Sequence, residues 1–149
     1  SMLDAQLKTH GVSFKVTCYA HNKTFDSANE IIACGEHEIT GYKNEFEHVL
    51  LNLINNAKDA LETTQATNRI IDIDIDKDGS KVIITVRDNA GGIPEEIIDK
   101  IFEPYFTTKE QGKGTGIGLY MAKTIIERNM GGTLTVRNID GGAEFRIEV

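Results

Sequence analysis

Asn52 and Asn56 stand four residues apart in Asn52-Leu53-Ile54-Asn55-Asn56-Ala57, and with His48 and Asp59 they fall on one stripe of a helix. Neutral amides facing a cavity offer carbonyl oxygens to a hard cation without the repulsion that carboxylates exert on a polyphosphate. Mg²⁺ in such a setting takes only one or two protein ligands beside phosphates and waters. A solvated helix face explains the same residues, and their types alone leave both readings open.

Asp88 closes an alternating run and is followed by Asn89-Ala90-Gly91-Gly92-Ile93-Pro94. A carboxylate fixed there is acceptor-only, which suits the exocyclic amino group of adenine and repels the carbonyl that guanine presents instead. Such a charged acceptor contributes about 1.5 to 3 kcal/mol, enough to choose a base. Gly91 and Gly92 allow close backbone approach, and Ile93 supplies an apolar wall. The plain alternative is an aspartate that forms a turn after a strand.

Gly112-Lys113-Gly114-Thr115-Gly116-Ile117-Gly118-Leu119 opens a helix, where free N–H groups attract anions and glycines clear space for phosphates. Its spacing is neither the Walker A nor the dinucleotide-binding pattern. Thr115 serves equally as a helix N-cap. Lys109, and with less force Lys113, supplies a point charge for outer phosphates, against the alternative of a solvated lysine. Phe102, Tyr105 and Phe106 give the preceding stretch an aromatic edge that suits either a lid anchor or ordinary core.

These residues need elements to hold them. Val12 to Ala20 alternates as a strand, His21 to Glu30 is polar and turn-like, and Glu30 to Tyr42 reads as one or two strands broken near Gly35. From Asn44 to Glu62 the spacing of Phe46, Val49, Leu50, Leu53, Ile54, Ala57 and Leu61 predicts an amphipathic helix. Arg69 to Asp76 and Lys81 to Arg87 form a hairpin around Asp78-Gly79. A short helix is predicted from Pro94 to Phe102, a mobile loop from 103 to 115, and a second amphipathic helix from Gly116 to Arg128 closed by Gly131-Gly132. Thr133 to Arg137 and Glu144 to Val149 make a last hairpin. The mixture predicts an α+β two-layer sandwich, with a mixed sheet covered by helices on one face.

The four stretches and their order resemble the N, G1, F and G2 boxes of the ATP-binding domain of sensor histidine kinases, a branch of the GHKL superfamily. The resemblance runs from about Glu45 to Val149. It implies a Bergerat-type fold binding ATP and Mg²⁺, with Asn56 as metal ligand. Nucleotide contacts are implied for Asn52, Asn56, Asp88, Gly92, Ile93, Lys109, Gly114, Thr115, Gly116, Gly118 and Leu119. Chaperone, gyrase, mismatch-repair and related members usually carry Glu four residues before the metal Asn, as a general base. Asn52 stands there instead, and it cannot take a proton, so the nucleophile must already be nucleophilic, as a histidine imidazole is.

Two positions depart from the family pattern: Ala90 replaces a usual Gly, and Ala143 stands where Thr often flanks adenine. Lys58-Asp59-Ala60 occupies the place where some branches carry a phosphate-contacting base. His10, His21, His37 and His48 lack the context of a phosphoacceptor. The resemblance therefore implies transfer to a histidine on a separate dimerisation and phosphoacceptor domain, a response regulator downstream, and a monomer when the domain is alone. The alternatives are a GHKL ATPase or serine kinase, and a degenerate module used only for protein contacts.

A chain of 149 residues with 40% hydrophobic content supports one core, so residues 1–149 read as one catalytic domain, Ser1-Met2 being a cloning scar ahead of an internal start. The net charge of −7 argues against a nucleic-acid partner. No apolar run approaches the length of a membrane span, so no direct membrane contact is expected, although the parent protein has room for an anchor elsewhere. Cys18 and Cys34 lack zinc or disulfide-scaffold spacing, which points to free thiols and a cytoplasmic location.

Overall fold

The computed structural model describes residues 11–19, 23–25, 43–64, 68–106 and 117–149. Strand β1 (Val12–Cys18) and the short β2 (Lys23–Phe25) are followed by helix α1 (Lys43–Thr63). Strands β3 (Arg69–Asp78) and β4 (Lys81–Asp88) form a hairpin. Helix α2 (Gly118–Thr124) runs directly into a π-helical segment (Ile125–Asn129), and β5 (Thr133–Ile139) and β6 (Gly142–Glu148) end the fold. The six strands lie in the order β2-β1-β3-β4-β6-β5. Only the β1/β3 pairing is parallel among the described pairs, so the sheet is mixed and the α+β class is as expected.

Period-two alternation divides the sheet faces. Ile71, Ile73 and Ile75 of β3, Val82, Ile84 and Val86 of β4, and Phe145 and Ile147 of β6 are buried in one core with α1. All seven apolar positions that predict α1, from Phe46 to Leu61, are at most 3% exposed. The opposite face is polar. There Arg87 Nε and Arg137 Nε donate to the two oxygens of Glu144, at 2.9 and 2.8 Å, and Arg87 also bonds Asp74. Glu144 is buried, and two guanidiniums compensate the desolvation of its charge.

Strand β5 lies at the sheet edge, and side chains from the helical layer occupy its backbone. The Leu134 carbonyl accepts from Lys123 Nζ at 2.8 Å, and the Leu134 N–H donates to Glu127 Oε2 at 3.3 Å. This covers polar groups that an open edge would offer to another chain.

Several expectations need correction. Pro94 to Phe102 is a succession of turns rather than a helix, with Ile97 and Ile98 N–H groups donating to the Pro94 carbonyl and Lys100 donating to Ile97. The second amphipathic helix is α-helical only to Thr124, after which Met130 N–H reaches back five residues to Ile125. The polar stretch from His21 contains β2. Cys18 is disulfide-bonded rather than a free thiol, unusual for a reducing compartment. Cys34 and the strands expected between 30 and 42 lie outside the described residues, as do residues 107–115 of the expected loop.

Leu53 is fully buried on α1. Leu53→Ala is expected to destabilise the domain by about 2 to 5 kcal/mol in equilibrium urea unfolding. A loss well below that range would show that α1 does not carry the core.

Candidate nucleotide site

Alternation along β4 turns Val82, Ile84 and Val86 toward the helices, and it turns Asp88 the same way. Asp88 is consequently buried, at 7% exposure. Its Oδ1 accepts the Ala90 N–H at 3.0 Å, a bond across two residues, and the Ala143 N–H also points to it. Burial raises the Asp88 pKa above its ordinary value, and these two N–H groups oppose the rise without cancelling it.

The β5–β6 hairpin is what encloses this carboxylate. A Cβ on Gly142 would lie 1.7 Å from the Asp88 carbonyl oxygen, so only glycine lets the two backbones meet. Gly91 N–H donates to the Gly141 carbonyl at 3.0 Å. Ala143, the position of a frequent threonine, is 2% exposed and contributes its backbone N–H.

Residues 89–94 are pinned at both ends. Asn89 Oδ1 accepts the Ile70 N–H at 2.8 Å while its Nδ2 donates to the Asn68 carbonyl at 2.5 Å. At the other end Asn138 Oδ1 accepts the Ile93 N–H at 2.7 Å, and Asn138 Nδ2 donates to the Ile93 carbonyl at 2.8 Å. Gly92 has φ 92°, and a Cβ there would lie 3.0 Å from Asn138 Oδ1. Its missing side chain thus makes room for the hairpin. Ile93 and Ala90 pack half-buried against the core.

On α1, Asn52 and Asn56 are half-buried and His48 is exposed. A Cβ on Gly118 would stand 3.3 Å from Asn52 Oδ1, so the last glycine of the glycine-rich stretch abuts the Asn52 amide. Asn52 Nδ2 is buried without a hydrogen-bond partner among the described residues. An unpaired buried donor of this kind costs about 1 to 3 kcal/mol and fits an anionic ligand at this spot. Among the described residues no three His, Cys, Asp or Glu side chains cluster to hold a metal. The donor chemistry of the half-buried Asn56 amide fits Mg²⁺, which takes few protein ligands when phosphates supply the rest.

Leu119 packs half-buried against the core beside Gly118. Lys109, Lys113, Gly114, Thr115 and Gly116 lie outside the described residues. Phe102 sits edge-on to Phe145, with centroids 6.1 Å apart and Lys123 Nζ 4.8 Å from its ring, and so belongs to the core. Tyr105 is 76% exposed and has φ 65°. Asn52 and Gly118 form one group, and Asp88, Gly92 and Ile93 form another around the hairpin. Helix α1 joins them by packing on β3 and β4, the strand that ends at Asp88. Sequence reasoning missed Asn89, Asn138 and Gly142. Asn138 carried a signal, since the alternation Leu134, Val136, Asn138 puts an amide where an apolar residue is due.

The sequence pattern of the family described as Histidine kinase-, DNA gyrase B-, and HSP90-like ATPase matches residues 41–149. Two-component sensor PprA of Pseudomonas aeruginosa is 40% identical over 114 residues, covering 74% of this chain and 12% of that protein. Sporulation kinase A of Bacillus subtilis is 38% identical over 109 residues, covering 73% of this chain and 17% of that protein. The chain therefore spans a small part of these relatives. Among solved structures, the nucleotide-free catalytic domain of histidine kinase ThkA aligns with TM-score 0.74 at 27% identity, over 99% of this chain and 84% of that chain. ThkA in complex with response regulator TrrA aligns with TM-score 0.69 at 25% identity, over 99% of this chain and 36% of that chain. The chain belongs to the histidine kinase, gyrase B and HSP90-like ATPase family. Within it, the chain is an ATP-binding catalytic domain of the sensor histidine kinase type.

The raised Asp88 pKa fixes a pH dependence. An acid whose pKa is higher folded than unfolded gives stability that is fully present below its ordinary value of 3.8 and is lost as pH rises through the raised value. Unfolding free energy of the native sequence minus that of Asp88→Asn should therefore increase as pH falls from neutral into that window. Chemical denaturation of both proteins across the range checks this, and a difference that stays flat or decreases contradicts the burial argument.

Proposed function

We propose that this chain presents Mg-ATP for transfer of the γ-phosphoryl group to a histidine on a separate dimerisation and phosphoacceptor domain. Asp88 carries the reading: a buried carboxylate held by two backbone N–H groups retains acceptor capacity for the adenine amino group. Ile93 walls the base, and Gly92 gives the loop its close fit. Asn52 and Asn56 would face the triphosphate with Gly118 and Leu119 near them, and Lys109, Gly114, Thr115 and Gly116 would add phosphate contacts. Asn56 would hold Mg²⁺, which neutralises phosphate charge when bound.

In the transfer, the lone pair of a neutral imidazole nitrogen forms the new N–P bond as the bond from the γ-phosphorus to the bridging oxygen breaks and ADP leaves. An amide at position 52 takes no proton, and this acceptor needs none removed to attack. The domain's task is positioning and charge stabilisation. A response regulator takes the phosphoryl group next. Residues 1–149 would act as one monomeric domain, with the cytoplasm as the compartment that supplies ATP. No described helix is long and apolar enough to cross a membrane.

Calorimetric titration with ATP and GTP, with and without Mg²⁺, tests the site. Saturable binding selective for ATP is expected, and Asp88→Asn should weaken it by about 1.5 to 3 kcal/mol. Failure of the native domain to bind ATP with Mg²⁺ present would sink the reading in favour of a module used only for protein contacts.

Steady-state hydrolysis by the isolated domain separates this reading from an ATPase. Slow turnover is expected, and Asn52→Glu should raise it by supplying a general base, an effect typically worth about 10² to 10⁴-fold. Rapid hydrolysis by the native sequence would instead favour the ATPase class.

A further inference from the structure

We infer that Asn138 is a positioning residue for the adenine pocket, acting through the backbone of Ile93. Its amide makes both available backbone bonds to one residue: Oδ1 accepts the Ile93 N–H at 2.7 Å and Nδ2 donates to the Ile93 carbonyl at 2.8 Å. The amide orientation is fixed by that pairing, because the flipped form would set donor against donor and acceptor against acceptor. A side-chain amide here imitates the paired bonds of an antiparallel ladder. It extends the edge of β5 to a loop that has no strand of its own.

The surroundings are built for this clamp. Gly92, next to Ile93, carries φ 92°, and the atom a side chain would add lies 3.0 Å from Asn138 Oδ1 and 3.3 Å from Asn138 Cγ. The glycine's absence of a side chain is therefore matched to the Asn138 amide. Asn138 lies opposite Ala143 in the β5–β6 register, and Ala143 supplies one of the N–H groups directed at Asp88. One hairpin thus positions both the group that accepts from the base and the backbone that carries its apolar wall. Asn138 is itself exposed, so its role is not that of a core residue.

The inference rests on the ATP reading, and the experiment separates the two. Native protein, Asn138→Leu and Asn138→Asp are titrated with Mg-ATP. Their melting temperatures without ligand and the hydrogen exchange of the Ile93 amide are recorded as well. Leucine has nearly the shape of asparagine and makes neither bond. It should weaken ATP binding by about tenfold, the effect of losing one to two ordinary hydrogen bonds. The Ile93 amide should exchange faster while the melting temperature is unchanged. Aspartate keeps the acceptor for the Ile93 N–H but loses the donor and faces the Ile93 carbonyl and Glu95, whose Oε1 is 3.4 Å from Nδ2. It should restore slow exchange and part of the affinity. If the native protein binds ATP and Asn138→Leu binds it equally well, the positioning role is overturned. If both variants lose affinity and melting temperature together, Asn138 is a general structural residue and the role is likewise overturned. If the native protein fails to bind ATP, the underlying reading falls and takes this inference with it.

Discussion

Burial of the Asp88 carboxylate is the constraint around which the site is arranged. A buried carboxylate is costly to ionise unless it is well bonded; Asp88 is 7% exposed, and burial raises its pKa while two backbone N–H groups lower it. Under the proposed reading, the remaining acceptor capacity is what a purine amino group would fill. The apposition also dictates the neighbouring sequence. Gly142 must lack a side chain for the hairpin to reach the Asp88 backbone, and Ala143 must follow it so that its N–H arrives at the carboxylate. A larger residue at 142 would move the lid of the carboxylate away and let water in.

The two faces of the sheet solve different problems. On the helical side, α1 buries an apolar stripe from Phe46 to Leu61 and leaves Asn52 and Asn56 half-buried at its flank. On the other side the strands are joined by a charge ladder running from Asp74 through Arg87 and Glu144 to Arg137. That ladder crosses β3, β4, β6 and β5, the four strands that fix where Asp88 and the hairpin lie. Pairing Arg87 and Glu144 on both sides specifies register: a slip of one residue in β4 would bury Arg87 and expose Val86.

Strong periodicity made most of the fold legible. The Ile/Asp alternation of β3 and the apolar stripe of α1 each admit one secondary structure, and the observed bounds differ from the expected ones by at most two residues. Asp88 stood out as a candidate because it ends a strand three residues before a glycine pair, and the structure buries it there. Pro94 to Phe102 was misread for a physical reason. Its helix-start signals are genuine, but fewer than three turns supply few backbone bonds to offset the cost of nucleation. Here Phe102 is held by Phe145 and Lys123, so tertiary contacts set the chain path. The π-helical end of the second helix has the same spacing of apolar residues as an α-helix, and no periodicity argument separates them. Asn138 and Gly142 act through contacts with residues 45 and 54 positions away, Ile93 and Asp88. Local pattern carries little of that.

Asn52 shows the same trade at the other end of the site. Its Nδ2 is buried without a described partner, and a Cβ on Gly118 would stand 3.3 Å from its Oδ1, so the amide is enclosed on that side. A donor fixed this way does not have to reorganise when negative charge arrives, and reorganisation is much of what a polar site in water must spend. Glutamate in the same place would be a base, but it would also confront a triphosphate with a like charge in a half-buried setting. An amide avoids that repulsion and gives up proton abstraction. On the proposed function, that choice is coherent if the phosphoryl acceptor brings its own lone pair, which would tie the identity of one side chain on α1 to the chemistry of the acceptor.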